Sequence, residues 1–252
     1  MSKNIWIIGA SSGIGYELTK LFLQNGYTVI ASSRAAKECH ELKGLKSSFK
    51  QTLYLKNIDV EDNSSIKEAT AYVWQKLKYL DICIFNAGVY ELTSVEKLNI
   101  QDFEEMTNIN YLGAVRLTNI VSKYFLSQGF GRFVFNGSLS SYFGLPNAAA
   151  YGASKAALVN FAQAIQPELI KKNIEVQIIN HGFVKTKLTN KNNFEMPELM
   201  NSNEAALKIF HELSKSSYKF EIKFPYKLSF FLTLLRLLPY KISLAITKGL
   251  IK

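Results

Sequence analysis

The sequence predicts an α/β fold in which helices cover both faces of one parallel sheet. Short apolar runs rich in β-branched residues alternate with longer stretches of helical periodicity. The apolar runs are continuous rather than alternating, which is typical of strands buried on both faces. Six of them lie at 4–9, 27–33, 51–57, 81–86, 131–137 and 174–180. Strand–helix alternation of this kind indicates a single-domain, doubly wound parallel sheet with right-handed crossovers.

The helical stretches fall between these runs. They lie near 13–25, 36–43, 62–78, 101–127 and 151–171. Pro167 lies inside the last one and is expected to kink that helix or to end it early, because proline lacks the N–H group. A further helix is expected over 202–215, where Asn201 caps the first turn and Glu204 reaches back. The alternating residues 218–224 are expected to add an edge strand.

The net charge of +10 is concentrated near the carboxyl end of the chain. Residues 219–252 contain six lysines and one arginine against a single glutamate, which leaves only +4 for the rest. The body of the protein therefore has no excess of basic residues that would line a nucleic-acid groove. No recognition-helix or zinc-finger pattern is present, so a nucleic-acid partner is not expected.

The two cysteines, Cys39 and Cys83, show no metal-ligand spacing, and no metal is expected. Cys83 lies in an apolar run and is expected in the core. Two thiols without an obvious partner suit a reducing compartment. The first strand begins at once, without the pattern of a signal peptide, so a cytoplasmic location is expected.

A glycine-rich loop follows the first predicted strand and opens the first predicted helix. It reads Gly9-Ala10-Ser11-Ser12-Gly13-Ile14-Gly15. Glycines let the backbone approach a pyrophosphate closely, and the helix N-terminus offers free N–H groups and a positive dipole end. Alone, such a loop could be an ordinary strand–helix turn. With a strand before it and a helix after it, the loop predicts a Rossmann-like dinucleotide site.

The end of the second predicted strand indicates which dinucleotide is bound. Sites for NAD usually carry an acidic residue there, which holds the ribose 2′-OH. This chain has Ser32-Ser33-Arg34 instead. Arg34 could pair with a 2′-phosphate through charge-assisted hydrogen bonds, or it could be a solvated surface residue. Because no carboxylate would repel the phosphate, the pattern favours NADP (NADPH) over NAD.

The segment Tyr151-Gly152-Ala153-Ser154-Lys155 places a phenol and an ammonium on one side of a helix. A free tyrosine has a pKa near 10, and a nearby ammonium lowers it. Lowering it by about three units requires about 4 kcal/mol of differential stabilisation. Lys155 and a cationic oxidised nicotinamide could supply that in a partly dry site. Alone, a Tyr-x-x-x-Lys match is common by chance.

Two further motifs make the pattern specific. Asn86-Ala87-Gly88 follows the fourth strand, and Ser138 precedes Tyr151 by 13 residues. With the glycine loop, they resemble the short-chain dehydrogenase/reductase family over roughly residues 3–190, in the short branch whose length the 252 residues match. The resemblance implies that Tyr151 is the general acid/base and that Ser138 polarises the substrate oxygen. Lys155 would bind the nicotinamide ribose and lower the pKa of Tyr151, and Asn110 would hold a proton-relay water.

The resemblance also assigns the cofactor surface. Besides Arg34, Tyr151 and Lys155, the expected cofactor-binding residues are Gly9, Ser11, Ser12, Gly13, Ile14, Gly15, Asp59, Val60, Asn86, Ala87, Gly88, Val184 and Thr186. Asp59 and Val60 would contact adenine, and Val184 and Thr186 would fix the nicotinamide carboxamide. The family usually has Pro-Gly after the sixth strand, where this chain has His181-Gly182. Loss of the proline could loosen this corner, or His181 could contact the substrate.

The carboxyl end is apolar and basic. We assign residues 1–225 to a dinucleotide-binding and catalytic domain and 226–252 to a helical extension. Residues 228–238 would span about 16 Å as a helix, against about 30 Å of hydrocarbon core, so a transmembrane helix is not expected. The extension could fold over the cleft as a lid or pack at a subunit interface, which we favour. Alternatively, it could rest on an anionic membrane.

The expected function is NADP-dependent hydride transfer between the nicotinamide and a carbonyl or hydroxyl carbon. A hydrophobic small-molecule substrate is expected from the apolar residues Leu139, Tyr142, Phe143, Leu145 and Phe183. The alternative is a catalytically silent nucleotide sensor or membrane-associated scaffold, which would be expected to have lost the tyrosine or the lysine. An epimerase or dehydratase of the family's extended branch would need a longer chain. The resemblance also implies a homodimer or homotetramer built through helices 101–127 and 151–171.

Overall fold

The computed structural model describes residues 3–192 and 194–249. Its strands are β1 (Asn4–Ile8), β2 (Thr28–Ser33), β3 (Leu53–Asn57), β4 (Ile82–Phe85), β5 (Gly131–Asn136), β6 (Ile174–His181), β7 (Val184–Lys185), β8 (Met200–Asn201) and β9 (Glu221–Phe224). Seven of them form one sheet in the order β3-β2-β1-β4-β5-β6-β9, in which every neighbouring pair is parallel. The two-residue strands β7 and β8 pair with each other separately.

Helices pack on both faces of this sheet. They are α1 (Gly13–Gln24), α2 (His40–Ser48), α3 (Asn63–Leu77), α4 (Ile100–Met106), α5 (Gly113–Gln128), α6 (Ala149–Leu169), α7 (Ser202–Ser214), α8 (Tyr226–Leu237) and α9 (Tyr240–Lys248). Buried side chains of α3, α5 and α6 form the core on one face, and those of α1, α2 and α7 form the core on the other. The predicted α/β fold, with helices on both faces of a parallel sheet, is therefore confirmed.

The strand order reverses between β1 and β4. The chain runs from β1 outward to β3, then returns to the centre and continues outward on the other side from β4 to β9. The loops that follow β1 and β4 leave the sheet in opposite directions at this point, and a crevice opens at the carboxyl ends of the strands. Ligands of open α/β sheets bind in such crevices, so the topology itself places the candidate site.

Two of the predicted helices differ from the structure. The helix expected at 36–43 begins only at His40, because residues 34–38 form a turn. The side chain of Asn57, at the end of β3, holds this turn: its Oδ1 accepts from the N–H of Lys37 at 2.9 Å, and its Nδ2 donates to Glu38 at 2.9 Å. The helix expected at 101–127 is divided between α4 and α5 by a π turn, Thr107–Leu112.

The carboxyl-terminal part follows the sequence pattern closely. β9 forms the edge of the sheet beside β6, as expected for the alternating segment. The Glu204 carboxylate accepts from the Asn201 N–H at 3.0 Å at the start of α7. Pro167 does not end its helix early, since α6 continues to Leu169 and then passes into a 3₁₀ turn. Among residues 3–192 and 194–249, none of the helices combines the length and apolar composition needed to cross a bilayer.

Candidate active site

A cleft of about 1380 Å³ opens at the carboxyl ends of the strands. The loops after β1, β2, β3, β4, β5 and β6 form its walls, together with part of α8. All of the predicted cofactor-binding residues except Gly15 line this cleft, and Ser138 lines it as well. Gly15 lies directly beneath the glycine loop, and Asn110 is fully buried behind the wall. The structure therefore brings the residues singled out in the sequence to one place.

The glycine loop is packed directly against the loop after β4. Gly9 has a φ of +86°, and a Cβ atom there would lie 2.6 Å from the backbone nitrogen of Ala87. A Cβ at Gly15 would lie 2.1 Å from the carbonyl oxygen of Gly9. The Asn86 amide donates to that same oxygen at 2.8 Å. The Ser12 side chain precedes α1 without capping it, and the first turn of α1 begins at the wall of the cleft, where its N–H groups are available to an anion.

We expect Gly9→Ala to destabilise the fold by about 3 kcal/mol, because both the left-handed backbone and the contact with Ala87 oppose a side chain. Urea denaturation gives the free energy of unfolding. Gly129→Ala is the matched control, since Gly129 has a φ of +79° with nothing within 4 Å of its Cβ position. The control should lose only about 1 kcal/mol of backbone strain. Equal losses in the two variants would show that the loop is not closely packed.

Lys155 lines the cleft and is only 3% exposed. Its Nζ donates to the Asn136 carbonyl oxygen at 2.7 Å and lies 5.7 Å from the centre of the Tyr151 ring. In the part of the chain that the structure describes, no carboxylate forms an ion pair with it. Burial lowers the pKa of Lys155 to about 8, so the side chain is still mainly cationic at neutral pH.

Tyr151 is a proton donor rather than a phenolate in this environment. Burial raises the pKa of Tyr151 to about 12, and a hydrogen bond with Ser138 acts in the opposite direction. Burial is the largest influence on the phenol in the protein alone, and the expected lowering of this pKa by Lys155 together with a cationic nicotinamide stays a prediction. The ring is fixed by the edge of Tyr90, with ring centres 5.0 Å apart.

A polar network behind the cleft fixes Ser138, which caps the short 3₁₀ turn Leu139–Ser141. The Ser138 N–H donates to Asn180 Oδ1 at 3.1 Å, and Asn180 Nδ2 donates to Glu221 Oε1 at 2.6 Å. The Tyr142 hydroxyl donates to the same carboxylate oxygen at 2.5 Å. Sequence reasoning missed Asn180 and Glu221, because only the pairing of β6 with β9 brings them together.

Asn110 lies in the π turn and joins two walls of the cleft. Its Oδ1 accepts from the Val89 N–H at 2.8 Å, and its Nδ2 donates to the Val89 carbonyl at 3.0 Å. The second amide hydrogen goes to Ser154 Oγ, also at 3.0 Å. The side chain thus ties the loop after β4 to α6, and its predicted role in holding a relay water stays a prediction.

His181 lines the cleft at the end of β6. Its Nδ1 lies 2.7 Å from the Gly182 carbonyl oxygen, which makes Nδ1 the protonated nitrogen. Burial lowers the pKa of His181 to about 4, and the nearby charge of Lys155 acts in the same direction. The ring is therefore neutral with Nε2 as the acceptor nitrogen, and His181 stays a candidate substrate contact.

The wider part of the cleft is apolar. Leu139, Leu145 and Phe183 line it as expected, whereas Tyr142 and Phe143 pack behind it around Leu139 and α8. Sequence reasoning missed other lining residues, among them Ser33, Tyr90, Asn136, Leu228, Phe231 and Leu232. The last three belong to α8, for which the sequence favoured a lid over the cleft or a subunit contact without deciding between them.

Comparison with known proteins gives the family. The family model described as short chain dehydrogenase matches residues 3–197, which is most of the chain. The chain therefore belongs to the short-chain dehydrogenase/reductase family, as its motifs predict. Members of this family are nicotinamide-dependent oxidoreductases acting on C=O or CH–OH groups, and this protein is an enzyme of that class.

Two curated relatives illustrate the range of the family. The chain is 31% identical over 185 residues to a 3-oxoacyl-(acyl-carrier-protein) reductase of Thermotoga maritima, covering 73% of this chain and 75% of the relative. It is 33% identical over 193 residues to a chloroplastic chlorophyll(ide) b reductase of Arabidopsis thaliana, covering 73% of this chain. That match spans only 56% of the plant protein, so this chain corresponds to little more than half of it.

A solved structure shows the same fold. A short-chain dehydrogenase of Burkholderia cenocepacia in complex with NADP superposes with a TM-score of 0.80 at 19% identity, covering 94% of this chain and 98% of the other. At that level of identity, the likeness concerns the fold alone.

Proposed function

We propose that this enzyme is an NADP-dependent oxidoreductase that transfers a hydride between the nicotinamide and a carbonyl or hydroxyl carbon of a hydrophobic substrate. The observation that carries the proposal is the buried Lys155 ammonium, which has no counter-carboxylate among the residues that the structure describes and lies 5.7 Å from the centre of the Tyr151 ring. A buried charge without an ion-pair partner is costly, and such groups concentrate at functional sites.

Two buried oxygen atoms in the wall of the cleft support the binding of a dinucleotide, because they have no hydrogen-bond partner in the described part of the chain. These atoms are Ser33 Oγ and Asn136 Oδ1. Buried polar atoms are normally satisfied, so these two oxygens are candidate contacts for a bound ligand. We propose that the glycine loop and the start of α1 hold the pyrophosphate, with Asp59 and Val60 at the adenine.

The proposed contacts with the nicotinamide half of the cofactor follow from where the residues lie along the cleft. We propose that Lys155 and Tyr151 contact the nicotinamide ribose, and that Val184 and Thr186 fix the carboxamide. Thr186 lies across the glycine loop, since a Cβ at Gly13 would lie 3.0 Å from its methyl group. The segment after β6 therefore packs against the glycine loop. One dinucleotide could then contact the glycine loop through its pyrophosphate and this segment through its nicotinamide.

The proposed preference for NADP over NAD rests on Arg34 and on the neighbouring Ser33, whose buried Oγ has no hydrogen-bond partner among the described residues. Arg34 is exposed at the rim of the cleft, and among the described residues no carboxylate forms an ion pair with it. A guanidinium free of intramolecular pairing is available to a 2′-phosphate.

We expect Arg34→Ala to weaken NADPH binding by about 30-fold, the equivalent of one charge-assisted hydrogen-bonded pair. The affinity for NADH should change little, because NADH has no phosphate at that position. Fluorescence titration measures both dissociation constants. Lys37→Ala removes the same charge from the adjacent turn at an exposed residue outside the cleft, and should leave both constants within a few-fold of wild type. An equal loss for NADH and NADPH would contradict the assignment.

The chain's own residues supply the proton chemistry of the proposed reaction. The bound cofactor supplies or accepts the hydride. In carbonyl reduction, Tyr151 donates its hydroxyl proton to the substrate oxygen while the Ser138 hydroxyl donates a hydrogen bond to the same oxygen. Lys155 stabilises the phenolate that remains, and Asn110 is proposed to hold the water through which the proton is replaced. Alcohol oxidation reverses each of these steps.

The apolar walls support a hydrophobic substrate. Leu139, Leu145 and Phe183 line the cleft together with Phe231 and Leu232 of α8, and Leu232 packs against Leu139. We propose that 226–252 serves as an extension to the catalytic domain of 1–225, and that α8 within it closes the substrate half of the cleft; residues 250–252 lie outside the described part of the chain. Assaying NADPH oxidation against a panel of aliphatic, aromatic and oxo-lipid carbonyls tests this. Turnover restricted to small polar carbonyls would overturn it, and turnover of no carbonyl would favour the silent nucleotide-sensing alternative.

We also propose a cytoplasmic homodimer or homotetramer. Cys39 and Cys83 are both free thiols, as suits a reducing compartment. Three large apolar side chains at the start of α4 and just before it are at least 57% exposed, namely Val95, Leu98 and Ile100. Exposed apolar clusters of this kind commonly mark subunit contacts. Analytical ultracentrifugation would give the oligomeric state, and a monomer at micromolar concentration would overturn that part of the proposal.

A further inference from the structure

The two C-terminal helices turn an apolar surface towards solvent. We call it the tail surface. It consists of Tyr226, Phe230, Leu237, Tyr240, Ile242 and Leu244, whose exposed fractions lie between 47% and 79%. Large apolar side chains that are exposed in such numbers on two short helices usually mark a site of interaction.

Helix α9 buries polar side chains and exposes apolar ones, which is the reverse of a helix that packs on a protein core. Its buried residues are Ser243 and Thr247, whose hydroxyls donate to the carbonyls of Leu235 at 2.7 Å and Leu244 at 3.2 Å. Its isoleucine and leucine side chains point outward instead. A helix at a protein–water boundary normally buries its apolar stripe and exposes its polar residues. The outer face of α9 is therefore built for an apolar surrounding.

The charge of the same segment identifies what covers it. Between Pro225 and Gly249 the chain has four cationic residues and no aspartate or glutamate. The four are Lys227, Arg236, Lys241 and Lys248, and all are exposed. A second copy bound through the same surface would bring eight cations together, and the segment itself has no carboxylate to pair with them. An anionic bilayer supplies both an apolar layer and negative headgroups.

We propose that the tail surface docks on an anionic lipid bilayer, with α8 and α9 lying in the headgroup region. The helices have 12 and 9 residues, so they are about 18 and 14 Å long and can lie in the interface without spanning it. The opposite face of α8 contributes Leu228, Phe231 and Leu232 to the cleft. Docking would therefore hold the substrate half of the cleft at the lipid surface. Delivery of apolar substrates from lipid rests on the proposed function, whereas docking itself does not.

The test is cosedimentation of the full chain with vesicles of phosphatidylcholine, with and without phosphatidylglycerol. We expect binding only to the anionic vesicles, and weaker binding as salt is raised. The triple variant Arg236→Gln, Lys241→Gln, Lys248→Gln should lower the partition coefficient roughly 100-fold, at about fivefold per charge. The matched triple Lys171→Gln, Lys172→Gln, Lys208→Gln removes three exposed charges elsewhere and should bind nearly as well as wild type.

A second pair of variants tests the apolar contribution. Leu244→Glu should reduce binding to anionic vesicles at least tenfold, whereas Leu207→Glu should not. Leu244 is 58% exposed on α9 and Leu207 is 51% exposed on α7, so neither change disturbs a core. Retained NADPH affinity in both variants shows that the fold is intact, and no measurement depends on carbonyl turnover.

Three results would overturn docking on lipid. The first is absence of wild-type binding to anionic vesicles at low salt. The second is an equal loss of vesicle binding in the triple variant at 236, 241 and 248 and in the control triple at 171, 172 and 208. The third is that Leu244→Glu dissociates an oligomer in ultracentrifugation while vesicle binding is unchanged, which would assign the tail surface to a second copy of the chain.

Discussion

Replacing Tyr151 by phenylalanine is expected to lower kcat for carbonyl reduction by about 1000-fold or more, because the substrate oxygen loses its proton donor. Ring volume and the edge contact with Tyr90 are kept, so the cleft should not collapse. NADPH affinity should stay within a few-fold of wild type, since the remaining contacts with the dinucleotide are unchanged. Steady-state kinetics and fluorescence titration measure the two quantities separately.

Tyr90→Phe is the matched control for this variant. Tyr90 also lines the cleft, and its hydroxyl donates to Asn192 Oδ1 at 2.7 Å. Removing that hydroxyl costs one hydrogen bond on the wall and no proton-transfer group, so kcat should fall by less than about tenfold. If Tyr90→Phe were as impaired as Tyr151→Phe, or if Tyr151→Phe kept full turnover, the assignment of the acid/base would be wrong.

Lys155→Met is expected to change activity and stability in opposite directions. Turnover should fall by about 1000-fold, because the phenolate left after proton transfer loses its cation. The fold should become more stable at neutral pH. Burial lowers the pKa of Lys155 from 10.5 to about 8, a difference equivalent to about 3 kcal/mol of cost for keeping the cation inside. Loss of the hydrogen bond to Asn136 offsets about 1 kcal/mol of that gain.

The pH dependence of this difference follows from linkage. Between pH 8 and about 10.5, the unfolded chain binds a proton at this lysine that the folded chain has released, so the stability of the wild type rises with pH in that window. The advantage of Lys155→Met in free energy of unfolding should therefore be largest below pH 8 and shrink towards pH 10.5. Urea denaturation across this range measures it. Lys171→Met at an exposed site should show no such trend, and a flat difference for Lys155→Met would contradict burial of the charge.

The buried strands could be located from the sequence because parallel strands covered on both faces are continuously apolar. β1 and β4 are fully buried along their length, and their predicted runs differ from the observed bounds by one residue at each end or less. The helix expected at 36–43 was misplaced because its start depends on Asn57. That contact joins the loop after β2 to the end of β3, and no local pattern carries it.

The site was predictable only where its chemistry follows a fixed spacing along the chain. Tyr151 and Lys155 lie one helical turn apart on α6, so their proximity is a property of the helix. The raised pKa of Tyr151 was not predictable, because it depends on how completely the phenol is buried. Ser33 and Asn136 were missed because an unsatisfied buried oxygen is visible only once its surroundings are known.

Helix α8 shows a second reason why the structure could not be predicted fully from the sequence. Leucine and phenylalanine occur all around α8, so its sequence could not tell which face packs inward. The structure buries Leu232 and Leu235 against Leu139 and leaves Phe230 and Leu237 exposed. The inward face supports the lid that the sequence favoured, and the outward face carries the surface proposed to contact lipid. The two faces of α8 are thus compatible with both a lid over the cleft and contact with an anionic membrane, the alternatives that the sequence left open.

The central claim is hydride transfer in this cleft with proton donation by Tyr151. It is tested most directly with NADPH in which both transferable hydrogens are replaced by deuterium, using a hydrophobic carbonyl substrate and mass spectrometry of the alcohol product. The wild-type enzyme should place one deuterium on the carbinol carbon, and Tyr151→Phe with NADPH bound should produce almost no labelled alcohol. Alcohol formed without deuterium, or equal label from the two proteins, would contradict the account.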